Sequence, residues 1–212
     1  KEVTAERDQI LAQQRKLEKQ YHSLDLRNIQ LAYKQSLLEY RNREIRDSLR
    51  YSSRIQKAIQ PLPLKNKHFF SDMFVYSKAK DLVSGDFFLT YDVSVSLLEP
   101  RLMIIAADCT GHGVPGAFMS FLGITILRKL IREKNETDPG TILNILNRDL
   151  TQILANENEI VADGMDIAVF RYDKNKYTLD YSIAKFQNLF RSNGKYITLN
   201  RQRHSIGLSS IN

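Results

Sequence analysis

The residues best suited to chemistry lie in LMIIAADCTGHGVPGAFMS, residues 102–120, an apolar stretch that ends in Asp108 and passes through a glycine-rich turn. Several chemistries use such a turn, and each makes its own demand on the residues. A P-loop needs Gly-x4-Gly-Lys-Ser/Thr so that a lysine reaches the phosphates; Gly111 and Gly116 have the spacing, but Ala117 and Phe118 follow. A cysteine phosphatase needs an arginine six residues beyond its nucleophile, and from Cys109 that position is Pro115. The run Gly111, Gly113, Gly116 satisfies G-x-G-x-x-G, the dinucleotide fingerprint. Its context is wrong, because Asp108, Cys109 and Thr110 intervene after the strand and the position about twenty residues on falls at the polar end of a helix.

A carboxylate at the end of a buried strand has another use. Asp108, beside a strand that begins Ser84-Gly85-Asp86, brings two hard oxygen ligands together if the strands pair. Oxygen donors without a His or Cys cluster select Mg2+ or Mn2+ over zinc. The neighbouring glycines leave room for backbone carbonyls and water. Spacing alone serves the plainer alternative equally well, with Asp108 capping the turn and Asp86 a turn residue. His112 either polarises a phosphate or holds the loop by hydrogen bonding, Cys109 is a small buried neighbour of the site, and Met103, Met119 and Met165 fill the core.

The elements that must position these residues follow from the pattern of apolar positions. Phe70 to Ala79, Asp86 to Val95 and Arg101 to Asp108 are rich in aromatic and β-branched residues and read as strands. A helix is expected from about Val114 to Lys134, with Pro115 at an early position. A second opens with Asp138 as N-cap and Pro139 at N1, carrying Ile142, Leu143, Ile145, Leu146, Leu150, Ile153 and Leu154. Strands return at Asp166 to Tyr172, Tyr177 to Ile183 and Tyr196 to Leu199, separated by the turns DKNK and RSNGK. This order is that of an α+β layered fold.

DLVSGDFF at 81–88, DCTGHGVPGAFMS at 108–120 and DGMDIAVFRYD at 163–173 resemble the SpoIIE-like branch of the metal-dependent serine/threonine phosphatases, the PPM or type 2C superfamily. SLRYSSRIQKAIQP resembles the helix that leads into these catalytic domains, so the likeness runs from about Ser48 to Gly207. The resemblance implies that Asp86, Asp108 and the main-chain carbonyl of Cys109 bind Mn2+ or Mg2+, two ions in the complete domain. It also implies that a metal-bridged water attacks phosphoserine or phosphothreonine in a phosphoprotein substrate. Relatives continue past Ile206-Gly207 into a Thr/Ser-Asp-Gly turn and an acidic strand start that complete the site, and this sequence contains neither. The expectation is thus a domain, residues 61–212, that lacks its C-terminal part and holds metal weakly or not at all. A second departure is SIAKFQNLFR at 182–191, where relatives carry a Gly-Ala-Asn-x-Pro-like stretch.

Residues 1–60 contain no proline or glycine, and Pro61 and Pro63 stop the run, so one long helix is expected. Val3, Ile10, Leu17, Leu24, Leu31, Leu38 and Ile45 recur every seventh position, the period of a supercoil. With these as d, the a positions are mostly polar and include Asn28 and Asn42, which favour a parallel two-stranded pairing in register. Sixty residues of helix make a rod of about 90 Å, longer than a domain of this size is wide. A homodimer through a coiled coil is the expected organisation, to which the family resemblance adds an upstream sensor domain; a single helix packed along its own domain is the alternative. Small residues enter the seam past Ile45, at the junction of rod and globule.

The net charge of +7 raises nucleic acid as a partner, but residues 1–60 hold 13 Lys/Arg and 8 Asp/Glu, leaving +2 for the rest. The excess therefore rides on a helical arm of mixed sign, without a recognition motif or basic-aromatic platform, and no nucleic acid is expected. One cysteine excludes an internal disulfide framework. No secretory leader and no apolar run near eighteen residues is evident, so a cytoplasmic location is expected. The chain begins at Lys1 without methionine, which fits a piece of a longer protein whose upstream part tethers it to a membrane or senses a signal. Two functions remain: a protein phosphatase, and a non-catalytic dimeric signalling module on the same fold.

Overall fold

The computed structural model describes residues 2–60, 69–155, 163–192 and 194–207. The chain divides into two compact units, Lys1–Ser48 and Leu49–Asn212, ahead of the boundary expected at residue 60. Helix α1, Glu2–Ile59, is continuous, as the absence of helix breakers requires. Along it Ile10, Leu17, Leu24, Leu31, Leu38 and Ile45 are 52–64% exposed in the single chain, and Asn28 and Asn42 are exposed beside them. Pairs such as Gln35 with Glu39 and Arg41 with Glu44 lie one turn apart and support the helix locally.

In the globular unit, strands β1 (Phe87–Asp92), β2 (Arg101–Cys109), β3 (Met165–Asp173) and β4 (Thr178–Ala184) form an antiparallel sheet in the order β1-β2-β3-β4. Helices α2 (Val114–Arg128) and α3 (Pro139–Leu154) supply the other half of the core. Alternation sends Phe87, Leu89, Met103, Ile105, Ile167 and Val169 to the core, where Ile124, Leu127, Leu146 and Leu150 meet them. Helices gathered on an antiparallel sheet make this the α+β fold expected. α3 starts where Asp138 and Pro139 specify, the Asp138 carboxylate accepting from the Thr141 N–H at 2.8 Å. Those hydrogen bonds hold the Asp138 carboxyl below the usual range.

Several expectations need correction. Residues 70–79 form no strand: Phe74 and Tyr76 are 87% and 81% exposed, and no described strand lies alongside to satisfy the backbone. The first helix is α-helical only to Arg128 and ends in a π-helical turn, Lys129–Glu133, closed by the Lys134 N–H on the Lys129 carbonyl at 3.1 Å. Val114–Glu133 is long and apolar enough to cross a membrane by length and composition, contrary to the expectation of no such run; half of it is buried in the core. The last expected strand is the shorter β6 (Lys195–Ile197), paired with β5 (Phe190–Ser192), which the sequence reading left out.

Candidate metal centre

Strand register brings the two expected carboxylates together. Phe87 pairs with Ala107 and Asp108 with Asp166, so Asp86, Asp108 and Asp166 stand in a row across β1, β2 and β3 on the face away from the helices. Asp86 immediately precedes β1, its N–H donating to the Ser84 hydroxyl at 3.0 Å. Burial, the hydrogen bond shared with Asp86, and the charges of Asp86 and Asp166 raise the Asp108 carboxyl above the ordinary range; the Lys185 ammonium opposes them. Asp166 is the member that sequence reasoning missed. Its one signal was phase: Asp166, Ala168 and Phe170 share the face opposite the core residues of β3.

The Cys109 carbonyl oxygen lies against Gly85, where an added Cβ would sit 3.1 Å from it and 3.2 Å from the Gly111 oxygen. Gly116 is tighter still, with 2.5 Å between an ideal Cβ and the Gly111 oxygen. These approaches, rather than a bound dinucleotide, account for the glycines flanking the turn. The Cys109 thiol itself is buried among apolar residues and pushed up to about 12 by desolvation and the charges of Asp108 and Asp86, as suits a small buried neighbour of the site. His112 holds the loop: its Nδ1 is 3.1 Å from Asp81 Oδ2, both side chains being solvent-accessible. Thr110 ties the turn to the DGMD segment, its hydroxyl donating to Asp163 at 3.0 Å and accepting from the Gly164 N–H at 2.8 Å.

Beside the row a cleft of about 400 Å3 is lined by Asp108, Asp166, Lys185, Phe186, Gln187 and Arg201. Lys185 Nζ is 3.6 Å from Asp166 Oδ2, and the Ser205 hydroxyl donates to the other Asp166 oxygen. Lys185 adopts φ +55°, unusual for a residue with a Cβ. Its N–H donates to the Gln202 carbonyl at 2.9 Å and its own carbonyl accepts from Arg201, which fix the backbone there.

The last turns of α1 reach the same site. Gln56 Nε2 donates to the Ser84 carbonyl at 2.5 Å and to the Ser120 hydroxyl at 2.8 Å, while Gln56 Oε1 accepts from the Ser84 N–H at 3.1 Å. One amide thus grips both backbone groups of a residue two positions before Asp86.

As a donor set, Asp86, Asp108 and the Cys109 carbonyl are hard oxygens, which fits Mg2+ or Mn2+ in kind. They supply only part of a coordination shell. Among the described residues no group of three or more His, Cys, Asp or Glu side chains is arranged to hold an ion unaided.

The sequence profile of Stage II sporulation protein E (SpoIIE) matches residues 99–209. Among solved structures, the SiaA-PP2C domain of Pseudomonas aeruginosa is similar at TM-score 0.63 and 29% identity, over 78% of this chain and 64% of that one. The PP2C phosphatase domain of SpoIIE from Bacillus subtilis, solved with a fragment of its regulatory domain, gives TM-score 0.48 and 16% identity, over 64% of this chain and 38% of that one. The chain therefore spans less than two thirds of either. No curated protein matches it. With the profile covering more than half of the sequence, and the paired aspartates and glycine-rich turn built as described, the chain belongs to the SpoIIE family of PP2C-type phosphatase domains.

Proposed function

We propose that the protein carrying this chain removes phosphate from phosphoserine or phosphothreonine in a partner protein, with Mn2+ or Mg2+ held by Asp86, Asp108 and the Cys109 carbonyl. The observation that carries the reading is the meeting of Asp86 and Asp108 across β1 and β2, where burial first, and then Asp86 and Asp166, raise the Asp108 carboxyl. The ion, when bound, supplies Lewis acidity and neutralises phosphate charge. The protein's own residues set the stage. Asp108 would hold the ion as a carboxylate, the Gln56–Ser84 contact fixes the approach of Asp86, and Asp163 and Thr110 hold the turn in place. Arg201 lines the cleft from which a phosphoryl group would approach. The test is phosphate release from phosphoserine and phosphothreonine peptides with Mn2+ or with EDTA; equal rates in both would reject the assignment. A second reading, a non-catalytic signalling module, is favoured by one observation, the Lys185 ammonium lodged beside Asp166 where a cation would compete with it.

The same proposal includes a parallel homodimer. Its support is the exposed heptad row on α1, whose burial between two copies removes apolar surface from water, and Asn28 and Asn42, which pair across a dimer seam. Light scattering is expected to give a dimer, and Leu24→Glu with Leu31→Glu to give monomers with an unchanged melting transition of the globular unit. Monomeric wild type at micromolar concentration would end the idea.

Regulation through the helix follows from the Gln56 grip. Two discrete placements of the Leu49–Ile59 turns, with and without Gln56 on Ser84, would hold Asp86 differently and so give different metal affinities. Fusing a stable zipper upstream in each heptad phase should make activity rise and fall with phase, and Gln56→Leu should flatten that profile. Uniform activity across phases would leave the coil a dimerisation handle only.

A further inference from the structure

A second cavity, of about 480 Å3, lies on the helix side of the sheet and is lined by Tyr91, Arg128, Arg132, Glu133, Ala58 and Ile59. Tyr91 stands five residues along β1 from Asp86, about 16 Å away and on the opposite face. The cavity is therefore separate from the carboxylate row.

Three features of its wall call for a ligand. Tyr91 is 3% exposed, yet its hydroxyl has no hydrogen-bond partner, a cost that folded proteins rarely leave unmet. Desolvation raises the Tyr91 hydroxyl above its usual range, with Arg132 and Arg128 opposing, so it is available as a donor. Arg128 immediately precedes the π-helical turn and Arg132 lies within it, a conformation frequent at functional sites, and no ion pair involves either among the described residues. Arg132 is held over the Tyr91 ring, 5.2 Å from its centre, which fixes one guanidinium without using its hydrogen-bond donors.

We propose that this cavity binds a small organic phosphate, its oxygens received by Arg128, Arg132 and the Tyr91 hydroxyl and its carbon skeleton by Ala58 and Ile59. Planar guanidinium forks match tetrahedral oxyanions in pairs. The volume exceeds that of a bare phosphate and falls in the range of small-ligand sites, and two of its walls are apolar. Ile59 and Gln56 sit on adjacent turns of α1, so a ligand joining Ile59 to Tyr91 and the π-helical turn would favour one placement of the helix end that grips Ser84. The ligand is in this way an effector rather than a substrate.

Neither metal nor activity is needed for the test. Phenylphosphonate, which cannot be hydrolysed as a phosphate ester, is titrated into the chain in EDTA and followed by calorimetry and thermal unfolding. Wild type should bind at millimolar concentration or below and melt at higher temperature when saturated. Arg128→Gln with Arg132→Gln should weaken binding at least about tenfold, as loss of charge-assisted hydrogen bonds requires. Tyr91→Phe, which keeps the ring and the packing, should melt higher than wild type without ligand and bind more weakly. Asp108→Asn should bind as wild type does. Undetectable binding by wild type, wild-type affinity in Tyr91→Phe or in the double arginine variant, or loss of binding in Asp108→Asn would each overturn the proposal.

Discussion

Asp108→Asn is expected to abolish Mn2+-dependent phosphate release by the protein carrying this chain, by about a thousandfold or more, because the substitution removes one of two charged ligands. It should at the same time stabilise the metal-free chain. In the native state the Asp108 carboxyl titrates above its unfolded value, chiefly through burial and then through Asp86 and Asp166. A carboxyl so raised contributes stability that is complete below the ordinary carboxylate range and is lost as pH rises through its native value. The asparagine, nearly isosteric and uncharged, escapes that loss. Its advantage in melting temperature should therefore be greatest at neutral pH and disappear in acid. Activity and stability move in opposite directions, which a merely structural role for Asp108 does not produce. Retained activity in a folded variant, or a lower melting temperature at neutral pH, would refute the assignment.

Lys185 bears on the other half of the metal balance. Its ammonium, 3.6 Å from Asp166 and acting on Asp108, supplies positive charge where a divalent ion would. Lys185→Gln is expected to raise Mn2+ affinity about tenfold or more, since it removes a like charge a few ångströms from the ion. Lys185→Gly should do the same and also relieve the left-handed backbone, worth about 1 kcal/mol. Lys185→Arg, which keeps the charge, should bind as wild type does. Direct titration of Mn2+, read by calorimetry, separates the possibilities. If glycine alone tightens binding, strain rather than charge sets the affinity; if glutamine binds no tighter than lysine, the ammonium is not a competitor.

That Asp86 and Asp108 would meet was legible in a Gly-Asp strand start and an apolar strand entering a glycine-rich turn, whereas the metal role proposed for them came from the family resemblance, since spacing alone served a turn role equally well. The α+β layering followed from the order of period-two and helical segments. Asp166 was not legible: its place beside Asp108 depends on which residues of β2 and β3 pair, and register is a property of the packed sheet. Residues 70–79 have the composition of a strand, but composition cannot supply the neighbour that a strand needs. The Gln56 contacts join residues 28 positions apart, and a glutamine on a helix carries no mark of its partner. Segment 182–191 departs visibly from the family pattern, yet the ion pair that Lys185 makes within it rests on a backbone conformation that propensity argues against.

The carboxylate row belongs to three strands at once, and side chains alternate between faces. A slip of one residue in β1 would carry Asp86 to the helix side, and the same slip in β3 would do so to Asp166. A divalent ion held by Asp86 and Asp108, as proposed above, would need the native pairing of β1 and β2, so its binding would disfavour a misregistered sheet. Metal so held would act as a proofreader of folding: a chain with shifted strands would forfeit it, and selective stabilisation by Mn2+ would report the fraction correctly threaded.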